Sequence, residues 1–141
     1  SDEDLGNVTI TQGATTIINN TSLINDLTGT IGLATGTAGS YSNFTAFGPY
    51  TMTAGQSYNF SLSSLTTGFG YQNSMAIFID YNRNGSFADA GEMVYTPAAT
   101  AAGAYTVTGS FLIPATALNG QTRMRVVILE TLITGVASTS S

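Results

Sequence analysis

Oxygen-bearing side chains recur at alternate positions in residues 80–92, and their types suit a divalent cation. Counting from Asp80, they stand at the first, third, fifth and seventh positions, and Gly85 occupies the sixth. Ca²⁺ is held by about six to eight oxygen ligands from a loop that curls in this way. We therefore predict a site for a Ca²⁺ cofactor whose ligands are Asp80, Asn82, Asn84, Ser86, Asp89 and Glu92.

The end of this stretch departs from the helix-flanked EF-hand loop. An EF-hand carries a bidentate Glu at its twelfth position, whereas Gly91 stands there in this chain and Glu92 follows it. We predict a loop without flanking helices, in which Ser86 contributes its carbonyl oxygen and Asp89 or Glu92 completes the shell. Ca²⁺ is favoured over Mg²⁺, which demands a stricter octahedron and retains its water. The absence of His and Cys argues against zinc.

The same residues are also typical of a tight turn that binds no metal. Asp and Asn side chains accept hydrogen bonds from the backbone two residues further on, so Asp-x-Asn-x-Asn-Gly closes a loop by itself. The residues alone leave both interpretations open. Because Asn82 and Asn84 carry no charge, calcium is expected to bind more weakly here than to a loop with Asp at these positions.

Catalysis has few candidate residues. Without His or Cys, the usual pairs of nucleophile and base are missing. A pair of carboxylates is the remaining option, as in glycoside hydrolysis. Outside the N-terminal residues, the candidates are Asp26, Asp80, Asp89, Glu92 and Glu130. Three of these acids belong to the predicted calcium loop, so we expect a protein that is not an enzyme.

The low charge and its negative balance exclude several classes of partner. Charged residues make up 8% of the chain, against about 25% in ordinary soluble proteins. The net charge is −5, which would repel a phosphate backbone, so nucleic acid is not an expected partner. No apolar run approaches the roughly 20 residues that span a bilayer, so no membrane insertion is expected. Abundant neutral polar residues indicate an extracellular or cell-surface location, where calcium is available.

We expect structural roles for the few arginines and for most of the aromatic residues. Arg123 and Arg125 are expected to form ion pairs, with Arg125 reaching an acid of the loop. The aromatic residues between Tyr41 and Tyr50 are expected to anchor a loop to the core. The aromatic tip at 68–71 is a candidate for stacking on sugar rings.

Alternating and continuous apolar patterns predict the strands that position the loop. Polar and apolar residues alternate in 6–11, 57–63 and 122–129, which is the period of half-buried strands. Residues 75–79 are continuously apolar and predict a central strand, covered on both faces, that leads directly into Asp80.

Shorter signals predict the remaining elements. Residues 92–95 indicate a short strand, residues 98–104 a loop, and 105–113 a strand that ends at Pro114. Asn19 and Asn20 indicate a turn between two short strands, because Asn tolerates the left-handed backbone.

These elements indicate an all-β fold. Thr, Val and Ile favour strands, and helix-favouring residues are scarce. We predict a two-sheet antiparallel β-sandwich of the jelly-roll or immunoglobulin-like type. It is expected to form a single domain over residues 1–141, as a segment of a longer secreted protein.

The chain also resembles a known family. Residues 77–92 and 120–126 resemble the GEVED domain, and 5–10, 19–22 and 53–58 are similar to it as well. The resemblance implies a β-sandwich module of large secreted bacterial proteins. One departure is the absence of the family's Gly-Glu-Val-Glu-Asp type motif near the C-terminus. We therefore expect the final strand to come from elsewhere, by strand addition from a neighbouring domain or subunit.

The expected function is that of a non-catalytic, calcium-stabilised extracellular module of a secreted or cell-surface bacterial protein, acting in adhesion or ligand display. Its expected partners are neighbouring domains or subunits of a surface protein, and glycans. One alternative is a repeat or subunit of a fibrous surface appendage joined by strand addition. Another is a carbohydrate-binding module attached to a hydrolase.

Overall fold

The structure, a computed structural model, describes residues 3–22, 42–66 and 70–135. A short 3-10 turn spans Thr45–Phe47. The strands within the described residues are β1 (Glu3–Gln12), β2 (Thr15–Thr21), β3 (Ser57–Thr66), β4 (Gln72–Ile79), β5 (Met93–Tyr95), β6 (Ala101–Ala102), β7 (Thr106–Leu112) and β8 (Met124–Leu129).

The strands form two antiparallel sheets. The first sheet has the order β2-β1-β3-β7. The second is centred on β4, which pairs with β5, β6 and β8. Both β5 and β8 pair with Ile77 and Phe78, so they lie on opposite sides of β4. The prediction of an all-β, two-sheet antiparallel sandwich is confirmed.

The main core lies between the two sheets and is made by side chains that point inward from both. In β3, Tyr58, Phe60 and Leu62 are buried and the residues between them are more exposed, as their alternation predicted. They pack with inward-facing residues of β1, β4 and β7. These partners are Val8, Ile10, Met75, Ile77, Ile79 and Phe111. Removal of this apolar surface from water provides most of the driving force for folding.

The central strand β4 is covered on both faces, as predicted. Ala76 and Phe78 point away from the main core into a second cluster with Ile133, which is fully buried. The Ser74 hydroxyl donates to the Thr131 carbonyl at 2.7 Å and accepts from the Ile133 N–H at 3.0 Å. The segment after β8 therefore covers the outer face of the second sheet, which the sequence patterns did not predict.

The predicted turn at residues 19–21 is wrong, because β2 continues through these residues. The chain turns earlier, at Gly13, whose φ of 56° is left-handed. Asn7 Nδ2 donates to Asn19 Oδ1 and to Thr21 Oγ1, both at 2.9 Å. Cross-strand bonds of this kind stabilise Asn within a strand and override its local turn preference.

The other strand predictions were close. The strand predicted from 122 begins at Met124, and the loop predicted at 98–104 contains the two-residue β6. In the aromatic loop, Tyr50 packs against the core as expected, while Phe47 is 61% exposed. Tyr41, Phe69 and Asp26 lie outside the described residues. No helix among the described residues is long and apolar enough to cross a membrane.

Candidate metal centre

The loop at residues 80–92 joins the ends of two paired strands. Because β4 and β5 are antiparallel neighbours, the chain leaves the sheet at Asp80 and returns to it at Glu92. The Ile79 N–H donates to the Glu92 carbonyl at 2.8 Å, which holds the two ends of the loop together. The apolar run of β4 thus places both acids at one end of the sandwich.

Asp80 lies at the centre of the turn and is 5% exposed. Its Oδ1 accepts from the Asn84 N–H at 3.2 Å, and its Oδ2 accepts from the Gly85 N–H at 3.0 Å. Gly85 has a φ of 84°, the left-handed conformation that glycine adopts without strain. The Asp80 backbone is fixed as well: its N–H donates to the Arg123 carbonyl, and its carbonyl accepts from the Thr122 hydroxyl.

Glu92 is 2% exposed, and its two carboxylate oxygens differ. Oε1 accepts from the Tyr81 N–H at 2.9 Å and from the Asn82 N–H at 3.2 Å. Oε2 is buried and has no hydrogen-bond partner. A buried carboxylate oxygen without a partner is costly, so Glu92 is only partly satisfied by its hydrogen bonds within the loop.

Asn82, Asn84 and Ser86 form a chain of local turns. Each side-chain oxygen accepts from the N–H two residues further on, at 3.0, 2.8 and 3.0 Å respectively. These are the bonds that the metal-free interpretation expects. Each oxygen retains a second lone pair, so the turns do not prevent coordination of a cation.

Asp89 lies on the exposed side of the loop. Asn84 Nδ2 donates to its Oδ2 at 2.8 Å. Hydrogen bonds from the side chains of Asn84 and then of Asn82 hold the pKa of Asp89 below its ordinary value, because they favour the charged form. The side chains of Asn82, Asn84 and Asp89 therefore lie together.

Tyr81 lies beside Glu92 and has an unpartnered hydroxyl. Burial, and after it the negative charge of Glu92, raise the pKa of Tyr81 to about 12. The Tyr81 hydroxyl is buried without a hydrogen-bond partner. A cleft of about 220 Å³ opens here, lined by Tyr81, Asn82, Asp89 and Glu92 on the loop and by Pro114 and Thr116 opposite.

A second loop, which the sequence did not connect with this site, is fastened to the first by Arg83. Its Nε donates to the Gln121 carbonyl at 3.1 Å and one terminal nitrogen donates to the Asn119 carbonyl at 2.7 Å. In addition, the Leu118 N–H donates to the Tyr81 carbonyl at 3.0 Å. Arg83 adopts a left-handed φ of 60° in this arrangement, which no local sequence signal predicts.

The expectation that Arg125 pairs with a loop acid is wrong. Its guanidinium lies 4.8 Å from the centre of the Phe87 ring, a cation–π contact. Arg125 pairs with Phe78 across β8 and β4, so its side chain emerges on the outer face of the second sheet, near Phe87. Neither Arg125 nor Arg123 forms an ion pair with a described residue.

The predicted ligands all lie on this loop, but they are not arranged as a carboxylate cage. Among the described residues, no group of three or more His, Cys, Asp or Glu side chains is placed to hold a metal ion. A cation here would depend on Asp80 and Glu92 together with neutral amide, hydroxyl and carbonyl oxygens. Such mixed oxygen ligands are compatible with Ca²⁺.

Comparison with known families agrees with the resemblance noted in the sequence. The family model of the GEVED domain matches residues 74–141, which begin in β4 and include the entire loop. No curated protein and no solved structure matches the chain. The match confirms the resemblance to the GEVED domain over residues 74–141, a little under half of the chain.

Proposed function

Starting from the GEVED-type character of residues 74–141, we propose that the protein is a non-catalytic module stabilised by Ca²⁺ at residues 80–92. We propose further that it works outside the cell, in adhesion or ligand display. One observation carries the proposal: Asp80 and Glu92 are both buried at the same end of the sandwich, and no cationic side chain of the described residues pairs with either. The unpartnered Oε2 of Glu92 is the strongest part of this observation.

Electrostatics explains why a cation suits this position. Backbone N–H groups solvate one oxygen of Glu92 and both oxygens of Asp80, but they bring no full positive charge. Burial of two carboxylates without a counter-charge is unfavourable. A bound Ca²⁺ would compensate both charges and use the oxygens that remain.

The same cation would have a structural role. Residues 80–92 contain no regular secondary structure, so ordering their backbone costs conformational entropy. An ion that binds only the folded loop stabilises the fold by mass action. Calcium is sufficiently available outside the cell for a site of modest affinity, which supports an extracellular module.

Thermal unfolding of the full chain, in calcium and in chelator, tests this proposal. At a free calcium concentration about 100 times the Kd, we expect a stabilisation of about 2.7 kcal/mol. For a domain of this size it corresponds to a Tm increase of about 5–10 °C. Asp80→Asn should lose most of this increase, because it removes a buried negative charge. The Asn side chain has the same shape as Asp and keeps one side-chain oxygen.

Glu130→Gln is the matched control, since Glu130 is an exposed acid outside the loop. This variant should retain the full calcium-dependent increase. A wild-type chain with the same Tm in calcium and chelator would contradict the calcium site. It would leave the loop as a set of hydrogen-bonded turns.

The fibrous-appendage alternative rests on the sheet edges. Among the described residues, β7 pairs only with β3, and Leu112 on β7 is 58% exposed. Exposed edges of this kind accept an added strand. If this alternative is correct, the purified chain should associate as its concentration rises, and Leu112→Lys should prevent association. A chain that stays monomeric at every concentration would argue against it.

A further inference from the structure

We propose that the Asn119-Gly120 pair, in the loop between β7 and β8, is a site of spontaneous modification at which Asn119 loses ammonia and becomes isoaspartate. The reaction uses the chain's own atoms and water as its only co-reactant. The chain contains a second Asn-Gly pair, Asn84-Gly85, and its surroundings protect it from the same reaction. The modification is independent of the proposed calcium site.

The first step joins the backbone nitrogen of Gly120 to the side-chain carbon of Asn119. The nitrogen attacks Cγ, the Cγ–Nδ2 bond breaks, and ammonia leaves with the proton of the Gly120 N–H. Water then adds to one of the two carbonyl carbons of the resulting cyclic imide, and the C–N bond at that carbon breaks. Opening at the side-chain carbonyl yields aspartate. Opening at the main-chain carbonyl yields isoaspartate, in which that carbonyl has become a free carboxylate.

The Asn119-Gly120 pair is open to attack. Both residues are exposed, and the Gly120 N–H and the Asn119 side chain form no hydrogen bond with any described residue. Gly120 has a φ of 120°, which side chains rarely tolerate. A Cβ at this position would also lie 2.6 Å from a terminal nitrogen of Arg83. The turn therefore favours glycine at residue 120, and glycine leaves the attacking nitrogen unshielded.

The Asn84-Gly85 pair is held by hydrogen bonds at both reacting groups. The Gly85 N–H donates to Asp80 Oδ2 at 3.0 Å, which engages the attacking nitrogen. Asn84 Nδ2 donates to Asp89 Oδ2 at 2.8 Å, and Asn84 Oδ1 accepts from the Ser86 N–H at 2.8 Å. The same dipeptide can therefore react here only after the loop has opened locally.

Arg83 lies where it would direct the second step. Its Nη1 donates to the Asn119 carbonyl at 2.7 Å, which is the carbonyl whose opening yields isoaspartate. A charged donor at this oxygen stabilises the negative charge that develops when water adds to the carbon. The product carboxylate would then lie beside the Arg83 guanidinium, which forms no ion pair with a described residue. Isoaspartate is therefore favoured over aspartate.

Ageing of the full chain in mildly alkaline buffer, followed by peptide mapping with mass spectrometry, tests the proposal. The chain unfolded in guanidinium chloride is the matched control, because both pairs are open there. We divide the rate of ammonia loss at each pair in the folded chain by its rate in the unfolded chain. This ratio should be at least about tenfold higher at Asn119 than at Asn84, because three hydrogen bonds hold the second pair. Equal ratios, or a higher ratio at Asn84, would overturn the proposal.

Arg83→Gln tests the direction of opening. In the folded wild type we expect a larger fraction of isoaspartate at residue 119 than in the unfolded chain, and in Arg83→Gln the fraction should return to that of the unfolded chain. Arg123→Gln is the control, because Arg123 is also exposed and its side chain forms no hydrogen bond with the Asn119 carbonyl. It should match the wild type. The same fraction in the folded wild type and in Arg83→Gln would overturn the role of Arg83, and aspartate as the main product would overturn the assignment of isoaspartate.

Discussion

At the scale of single residues, the proposed response of the loop to calcium depends most on Glu92. Replacing it with Gln preserves a carbonyl oxygen for the N–H groups of Tyr81 and Asn82, and it replaces the unpartnered charged oxygen with a neutral amide. We expect Glu92→Gln to be as stable as the wild type, or more stable, in chelator. In calcium it should be less stable than the wild type by about 1–3 kcal/mol, the usual cost of losing a partner of a charged group.

Chemical unfolding of Glu92→Gln and of the wild type, in calcium and in chelator, tests this prediction. The difference in the free energy of unfolding between the two proteins should change sign between the two solutions. If the variant is destabilised equally with and without calcium, Glu92 acts only through its bonds to the loop backbone. Such a result would remove the main support for a cation at this position. A substitution of Asp80 is not expected to have opposite effects on stability in calcium and in chelator, because both of its carboxylate oxygens accept backbone hydrogen bonds.

Tyr81 provides an independent measure of the charge on Glu92. Its pKa is raised from 10.0 to about 12, first by burial and then by Glu92. The neutral phenol is thus preferred in the folded protein. The contribution of the neutral phenol to the free energy of unfolding is fully present below the ordinary pKa of 10.0. It is lost as pH rises through about 12. In Glu92→Gln we expect the pKa of Tyr81 to fall but to stay above 10.0, because burial is the larger cause.

Nuclear magnetic resonance of the tyrosine Cζ carbons as pH is raised measures this pKa. Tyr81→Phe assigns the signal. Bound calcium should lower the pKa of Tyr81 in the wild type, since it compensates the charge of Glu92, but should not lower it in Glu92→Gln. An unchanged pKa in Glu92→Gln would show that the carboxylate does not act on the phenol.

At the scale of secondary-structure elements, patterns that depend on one strand alone were predictable from the sequence. Successive side chains of a strand point to opposite faces. The alternation in β3 therefore predicts one buried face, and the continuous apolar run of β4 predicts two. The position of the loop after β4 followed from the same run. The identity of the hydrogen-bond partners within the loop did not follow, because spacing alone fits both a cation site and local turns.

Elements that depend on distant partners were not predictable. The Asn-rich end of β2 is a strand because Asn7, on β1, binds Asn19 and Thr21 across the sheet. Ile133 is buried because its segment crosses the outer face of β4, far away in the chain. Propensity and periodicity contain no information on such contacts, so tertiary interactions decided both cases.

The crossing of this segment over β4 depends on the buried Ser74 hydroxyl. Ser74→Ala removes the acceptor of the Ile133 N–H and the donor to the Thr131 carbonyl. We expect a loss of about 1–3 kcal/mol in the free energy of unfolding, because two backbone groups lose their partner. Urea unfolding measures the loss. The control is Ser57→Ala on β3, where the serine is exposed, and a similar loss in that variant would contradict a specific role for Ser74.

At the scale of the whole molecule, the fold places two loops at one end of the sandwich and joins them by hydrogen bonds. The loop of residues 80–92 follows β4, and the second loop lies between β7 and β8. Arg83 holds the carbonyls of Asn119 and Gln121, and Tyr81 accepts from the Leu118 N–H. Ordering of the first loop should therefore order the second, although the second contributes none of the predicted calcium ligands.

Hydrogen exchange with and without calcium tests this connection. The Asn84 and Gly85 amides donate to Asp80, so calcium should slow their exchange directly. The Leu118 amide should slow as well, because its acceptor is the Tyr81 carbonyl of the same loop. Amides of β1 and β3 should change little under conditions in which exchange occurs by local opening.

Arg83→Gln separates coupling through the two loops from stabilisation of the whole fold. The variant retains every predicted calcium ligand but loses the guanidinium bonds to Asn119 and Gln121. Calcium should still slow exchange at Asn84 in this variant, whereas its effect at Leu118 should be smaller. Equal slowing of all amides, β1 included, would mean that calcium stabilises only against global unfolding. In that case the contacts of Arg83 would join the loops without transmitting the order that the ion imposes.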